Sequence, residues 1–341
     1  LQSGIDDYVP KTKLYIYKSF LLNSILNKDD DIATISKRRI TNKAEEGYAS
    51  SLFLSNLTEL INGWREREVR RNFVSPPKVA GSGELYLLEE ANDWIVQQAK
   101  DLQKPYLSYI HLFPPHEPYV VRNDFADVFY DDGYTPVRKP THFFTKIKFT
   151  SYEETDTYRR TYNQAIRYVD MEFGRLMKEL ESSGQLNNTI VILTSDHGEI
   201  FERGLTEHIR PVFYQAIAQV PLLIFMPNQT ERIDIHDATS ALDIIPTLLQ
   251  ITGKKIPQNL EGTPLPPFAN PTPERSIFVM DARNNPPEER LSLYTAMIRK
   301  GSYKFTQYYG YKQLPDNQPY FELYNLEEDP EELENLVDKE A

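Results

Sequence analysis

The chain has 341 residues, enough for about two domains or one large domain with an appendage. Its 38 Lys+Arg against 50 Asp+Glu leave a net charge of −12, which excludes the basic footprint a general nucleic-acid binder needs. A hydrophobic share of 40%, with 22 Tyr and 17 Phe, supports a sizeable core and excludes wholesale disorder.

The first 80 residues are polar and irregular, with an acidic run (Asp29, Asp30, Asp31) and then a basic one (Lys37, Arg38, Arg39) that reads as a solvated surface. Leu85, Leu88, Ala91, Ile95 and Ala99 recur at helical spacing and predict a helix over Glu84–Leu102. Tyr106–Phe113 reads as a short buried strand running into Pro114-Pro115-His116-Glu117-Pro118-Tyr119, with His111 inside it as a core histidine. Tyr158, Tyr162, Ala165, Val169, Phe173, Leu176 and Leu180 predict a long amphipathic helix over Tyr152–Ser182, stopped at Gly184. Thr189–Thr194 is an unbroken apolar strand of the kind covered on both faces, ending at Ser195-Asp196-His197-Gly198-Glu199. A second buried strand, Val220–Met226, and a helix over Ala241–Thr252 follow. Pro and Gly thicken from Pro257 to Pro273, which predicts a boundary. Beyond it lie short strands at Ser276–Met280, Tyr294–Ile298, Lys304–Tyr309 and Phe321–Tyr324, and the acidic stretch Glu327–Asn335, predicting a small antiparallel sheet with one helix.

No apolar run approaches the roughly 18–20 residues of a membrane helix. Zero cysteines exclude disulfides, zinc–thiolate sites and a Cys nucleophile within these residues, without fixing a compartment. The chain opens at Leu1 with no basic-then-apolar signal segment, so a removed leader or a fragment is expected.

Several side chains could carry chemistry. Asp196 offers a hard oxygen and His197 a nitrogen at the carboxyl end of a buried strand, where one divalent cation could take both. Gly198 would let the backbone turn sharply there. The same dipeptide also suits an ordinary Asx-type turn. His116, between prolines at a strand end, is either a site residue or part of a rigid surface loop, and His208 is a site residue or a solvated one. His142 and His236 carry no functional argument. Asn56, Asn187 and Asn228 begin formal glycosylation sequons, a pattern short enough to arise by chance.

Thr189–Glu199 (TIVILTSDHGE), preceded by the Tyr162–Leu180 helix, closely resembles the sulfatase family of the alkaline phosphatase superfamily. Four further stretches agree in order: His111–Tyr119 (HLFPPHEPY) with that family's PHxPY element, Gln219–Ile224 with the strand after its metal motif, and Asp243–Leu265 with its DIIPTLL helix and EGTPL loop. The last is Lys304–Phe305 with Phe321–Leu336, similar to its C-terminal ending. The resemblance spans Gly4–Leu336 and is thin before about residue 84.

The resemblance implies an α/β fold, a central mostly parallel sheet flanked by helices (alkaline phosphatase-like), with residues 1–265 as the main domain and 266–341 as a small C-terminal α+β subdomain with an antiparallel sheet. It implies a sulfuric ester hydrolase with one divalent cation, most often calcium, held by Asp196 and His197. His116 would hydrogen-bond the sulfate or assist the leaving group, and His208 would contact the ester, with Arg210 as its rival. The partner would be a sulfated small molecule or carbohydrate.

The sequence also departs from the family. The strand with two acidic metal ligands is missing, as is the Cys- or Ser-x-Pro-x-Arg motif whose Cys or Ser becomes formylglycine. Gly4-Ile5-Asp6-Asp7-Tyr8 resembles the GFDxY stretch that follows the nucleophile region, so an N-terminally truncated, inactive chain is expected. Pro271-Thr272-Pro273-Glu274-Arg275 imitates the nucleophile motif with Pro where Cys or Ser must stand, and reads as coincidence. Two alternatives stay open. One is a phosphodiesterase, phosphonate monoester hydrolase or phosphoethanolamine-type transferase on the same scaffold, and the other a non-catalytic binding protein that keeps the fold.

Overall fold

The computed structural model describes residues 87–145, 151–208, 210–270 and most of 275–337, with scattered positions between 60 and 75. The Gly4–Tyr8 stretch, the charged runs before residue 40, Asn56 and the first residues of the imitated nucleophile motif, 271–274, lie outside them. The chain divides into two compact units, Leu1–Tyr134 with Asp156–Thr189, and Thr135–Thr155 with Ile190–Ala341.

In the first unit β1 (Phe73–Ser75) pairs antiparallel with β2 (Val121–Arg122), and two helices make the core. Helix α1 (Leu88–Asp101) buries Leu88, Ala91, Ile95 and Val96 along one stripe, with Glu89 and Glu90 in its first turn and Lys100 in its last, the polarity a helix dipole favours. Helix α2 covers Tyr152–Ser182, the predicted span. Ser151 and Glu154 start it as a capping box: Ser151 Oγ accepts from Glu154 N at 3.2 Å, and Glu154 Oε2 accepts from Ser151 N at 3.3 Å. Gly184, at φ +72°, follows its end.

The α1–α2 contact is apolar with a polar seam. Leu176 and Leu180 pack on Ile95 and Val96, and Phe73 meets Tyr168 edge-on at 5.5 Å. Tyr168 OH accepts from Leu88 N at 3.1 Å and donates to Glu89. Asn92 Nδ2 donates to Glu172 O at 2.8 Å and to its Oε2 at 3.2 Å. Every polar group brought into this seam has a partner, which is what makes burying it tolerable.

The expected strand Tyr106–Phe113 is not one. Residues 107–112 have no regular structure, and Leu107 and Tyr109 stand 77% and 85% exposed. An apolar run becomes a buried strand only where neighbouring strands take up its backbone groups, and none does so among the described residues. His111, expected in the core, is exposed, its Nδ1 3.2 Å from Tyr109 OH.

In the second unit β3 (Val191–Thr194) and β4 (Leu222–Phe225) pair antiparallel, from Val191 opposite Phe225 to Thr194 opposite Leu222. A mostly parallel central sheet is not seen among the described residues. A parallel return needs a crossover, usually a full helix. Among the described residues only the short helix α3 (Gln215–Ala218) lies between these strands, and the chain doubles back instead. Helix α4 (Ile244–Ile251) follows a single 3₁₀ turn, Ala241–Asp243, capped by Ser240.

The C-terminal antiparallel sheet is present in the order β5 (Ser276–Asp281), β6 (Tyr294–Lys300), β7 (Tyr303–Tyr309), β8 (Tyr320–Asn325). Thr295, Met297, Lys304, Thr306, Tyr308, Glu322 and Tyr324 alternate onto its buried face. Tyr308 and Tyr324 join Phe144, Ile200, Leu205, Val212 and Tyr214 in the core of this unit. Three ionisable side chains, Lys304, Glu332 and Glu322, are buried there with partners. Lys304 Nζ meets Glu332 Oε1 at 2.5 Å, while Glu322 accepts from Tyr214 at 2.5 Å, Tyr308 at 2.8 Å and Tyr324 at 3.3 Å. Burial holds Lys304 below the ordinary lysine range and raises the Glu322 carboxyl.

The acidic stretch after β8 forms turns where a helix was expected. Asp329 accepts from Leu333 N and Glu334 N, both at 2.9 Å, and Glu332 takes φ +55°, so the side chain caps backbone groups that a helix would have used. Arg275 forks onto the fully buried Asp243, with bonds of 2.8 and 2.9 Å. The arginine of the imitated motif is thus a clamp on the α4 cap.

Candidate functional site

The Asp196–His197 pair sits where β3 ends. Ser195 Oγ donates to His197 O at 2.7 Å, and Asp196 Oδ1 accepts from His197 N at 3.0 Å, so the turn is held by its own side chains. Gly198 is needed for close approach. A Cβ there would lie 2.1 Å from Ala216 O, while Gly198 N donates to Ile217 O at 2.9 Å. The glycine seats the turn against α3; it is not supplying a left-handed φ, because its backbone is not in that region.

His197 Nδ1 lies 2.9 Å from Gly198 O, and a carbonyl only accepts, so Nδ1 carries a proton. Nε2 lies 3.7 Å from Asp196 Oδ2, with the side chains 32% and 58% exposed. The loop then brings His208 back: its ring stacks on His197 at 3.9 Å and 29°. Glu199, which the sequence reading did not single out, meets His208 Nδ1 with Oε1 at 2.6 Å and is 5% exposed against 23% for His208. Among the described residues His197, Glu199 and His208 each offer one ligand atom within 4.8 Å of the others. Arg210 lies on the same loop, partly buried, and its guanidinium makes no ion pair among the described residues.

His116 belongs to the first unit. Its backbone N donates to Phe113 O at 3.0 Å, Nδ1 lies 2.7 Å from Glu117 O, and its ring packs 4.5 Å from Phe113. Glu117 Oε1 accepts from Tyr158 OH at 2.6 Å, and Tyr119 packs on Tyr158 and Tyr162 at 4.9 and 5.1 Å, so the PHxPY-like loop is moored to α2.

The fold is shared with solved structures. It matches the phosphonate monoester hydrolase of Agrobacterium radiobacter with a TM-score of 0.60 at 20% identity, covering 78% of this chain and 60% of that one. The family model "Sulfatase" matches residues 41–254, and "N-sulphoglucosamine sulphohydrolase, C-terminal" matches residues 208–341. The chain belongs to the sulfatase family. Arylsulfatase K of Bos taurus is 28% identical over 289 residues, covering 74% of this chain and 51% of its own length. Choline-sulfatase of Rhizobium meliloti (strain 1021) is 28% identical over 273 residues, covering 74% and 49%. The chain thus spans about half the length of these relatives. No described helix is long and apolar enough to cross a membrane.

Proposed function

We propose that the protein hydrolyses a sulfate monoester of a small molecule or carbohydrate, using a divalent cation. The observation that supports this is the folding of His208 onto His197 beside Asp196, three positions that the resemblance implicates, on one loop of a sulfatase-family chain. The names of the two relatives, both sulfatases, support the ester class.

The donor set fits a cation. Oxygen and imidazole ligands of one divalent cation lie about 2.0–2.6 Å from it and so within about 5 Å of one another. Asp196 Oδ2 and His197 Nε2, 3.7 Å apart, meet that condition with one hard oxygen and one imidazole nitrogen. The cation, when bound, supplies Lewis-acid stabilisation of the sulfate oxygens. His208 and Arg210 are the two candidates for the sulfate contact, and His116 serves the ester or its leaving group. These 341 residues hold no Cys- or Ser-x-Pro-x-Arg sequence, so no step is assigned to a formylglycine and turnover by that route needs residues outside them. In this reading residues 1–265 carry the catalytic part and 266–341 the C-terminal subdomain.

The test uses the protein expressed from its complete reading frame, with p-nitrophenyl sulfate and p-nitrophenyl phenylphosphonate as substrates and metal content measured in parallel. Asp196→Ala should lose both metal and turnover. His116→Ala should keep the metal and lower kcat by about 10²–10⁴-fold. Of His208→Ala and Arg210→Ala, the variant that raises KM with little change in kcat marks the sulfate anchor. Turnover of the phosphonate alone would place the protein with the phosphonate hydrolases, and full metal retention in Asp196→Ala would remove that residue from the centre.

A further inference from the structure

Glu199 and His208 are joined by a short bond, Oε1 to Nδ1 at 2.6 Å, and the carboxylate is the more deeply buried partner. An ionised carboxylate can only accept, so the ring nitrogen that faces it carries the proton. In a neutral imidazole the other nitrogen, Nε2, then bears the lone pair. His197 is set the same way by Gly198 O. Two stacked rings, one fixed by a backbone carbonyl and the other by a carboxylate, are therefore held in the same tautomer.

We propose that Glu199 is a positioning residue of this site, fixing His208 in the Nδ1–H form so that Nε2 is presented as an electron-pair donor. For its functional meaning this rests on the sulfatase reading; the tautomer does not. It divides the roles left open above. A sulfate oxygen is itself an acceptor and is not met by a lone pair, so anchoring the ester falls to Arg210, whose guanidinium has only donors. His208 Nε2 instead suits the cation or a proton in transit.

The experiment is ¹⁵N imidazole NMR on the 341-residue chain, labelled at its six histidines, with His208 assigned by the loss of its signals in His208→Asn. Spectra are taken above the ordinary histidine pKa of about 6.5. The expected wild-type pattern has Nδ1 in the protonated region and Nε2 in the unprotonated one. Glu199→Ala should move the Nε2 resonance toward the protonated region, and Glu199→Gln, whose amide oxygen still accepts, should restore the wild-type pattern. An unchanged signal from the buried His142 certifies that each variant is folded. A wild-type proton on Nε2 overturns the proposal, as does a Glu199→Ala spectrum identical to wild type. Neither result bears on whether the protein turns over a sulfate ester, which the assay above decides separately.

Discussion

His142 should make the protein's stability fall on mild acidification. The ring is 5% exposed and lies among Phe143, Phe144, Tyr214 and Tyr308, with centroids 4.1–5.9 Å away. Its Nδ1 accepts from Phe144 N at 3.1 Å, while Nε2 is buried without a partner among the described residues. Burial, reinforced by repulsion from Arg203, pushes its pKa down to about 3. An unfolded histidine titrates near 6.5, so between the two values the unfolded chain holds one more proton than the folded one. Stability from this group is therefore complete above about pH 6.5 and falls as pH drops toward about 3. The loss is about 1.4 kcal/mol per pH unit in that window, or about 2 kcal/mol on going from about pH 7.5 to about pH 5. In His142→Asn the amide oxygen can take the Phe144 N–H and nothing titrates. Urea unfolding of both proteins at the two pH values isolates the residue, because carboxylate effects cancel in the difference. Wild type should lose about 2 kcal/mol more than the variant. Equal losses would refute the argument.

Three further outcomes follow from buried contacts. Arg275→Met should destabilise by about 3–5 kcal/mol, since it leaves the fully buried Asp243 carboxylate without its cation; the urea midpoint measures this. Gly198→Ala should cost about 1–3 kcal/mol by forcing α3 off the turn, and by moving His197 should also weaken metal retention, which calorimetry would detect. Lys304→Met should be strongly destabilising alone, yet Lys304→Met with Glu332→Leu should recover most of the loss in thermal melts. A double variant as unstable as the single would show that Glu332 is held chiefly by other groups, such as the Gln215 N–H at 2.7 Å.

What could be read from the sequence was whatever depends on near neighbours in the chain. The α2 stripe and the four C-terminal strands are periodic patterns that carry their own partners, or pair with the next segment along. Tyr106–Phe113 failed for the opposite reason. Its apolar run asks for two-sided burial, which depends on strands elsewhere and not on the run itself. The site divides in the same way. Asp196 and His197 are adjacent and announce themselves, and the His208 match came from the family pattern. Glu199 emerged only when the loop was seen to close, because no periodicity relates a glutamate to a histidine nine positions later. Its burial beside an otherwise polar turn is invisible in composition. The imitation of the nucleophile motif at Arg275 read as coincidence, and the side chain's actual partner could not be read, because a short pattern says nothing about which carboxylate, 32 positions away, it will reach.

The Glu322 cage has an optical consequence. Tyr214, Tyr308 and Tyr324 share one buried carboxyl, and burial together with that negative neighbour raises all three phenols far above the usual tyrosine range, as burial and Glu89 raise Tyr168 in the other unit. In an alkaline titration followed by ultraviolet absorbance, these four rings will stay dark through the range in which an unperturbed phenol, with its pKa of about 10, turns to phenolate. Their eventual colour change reports the opening of the surrounding core, so each unit carries its own unlabelled optical gauge of integrity.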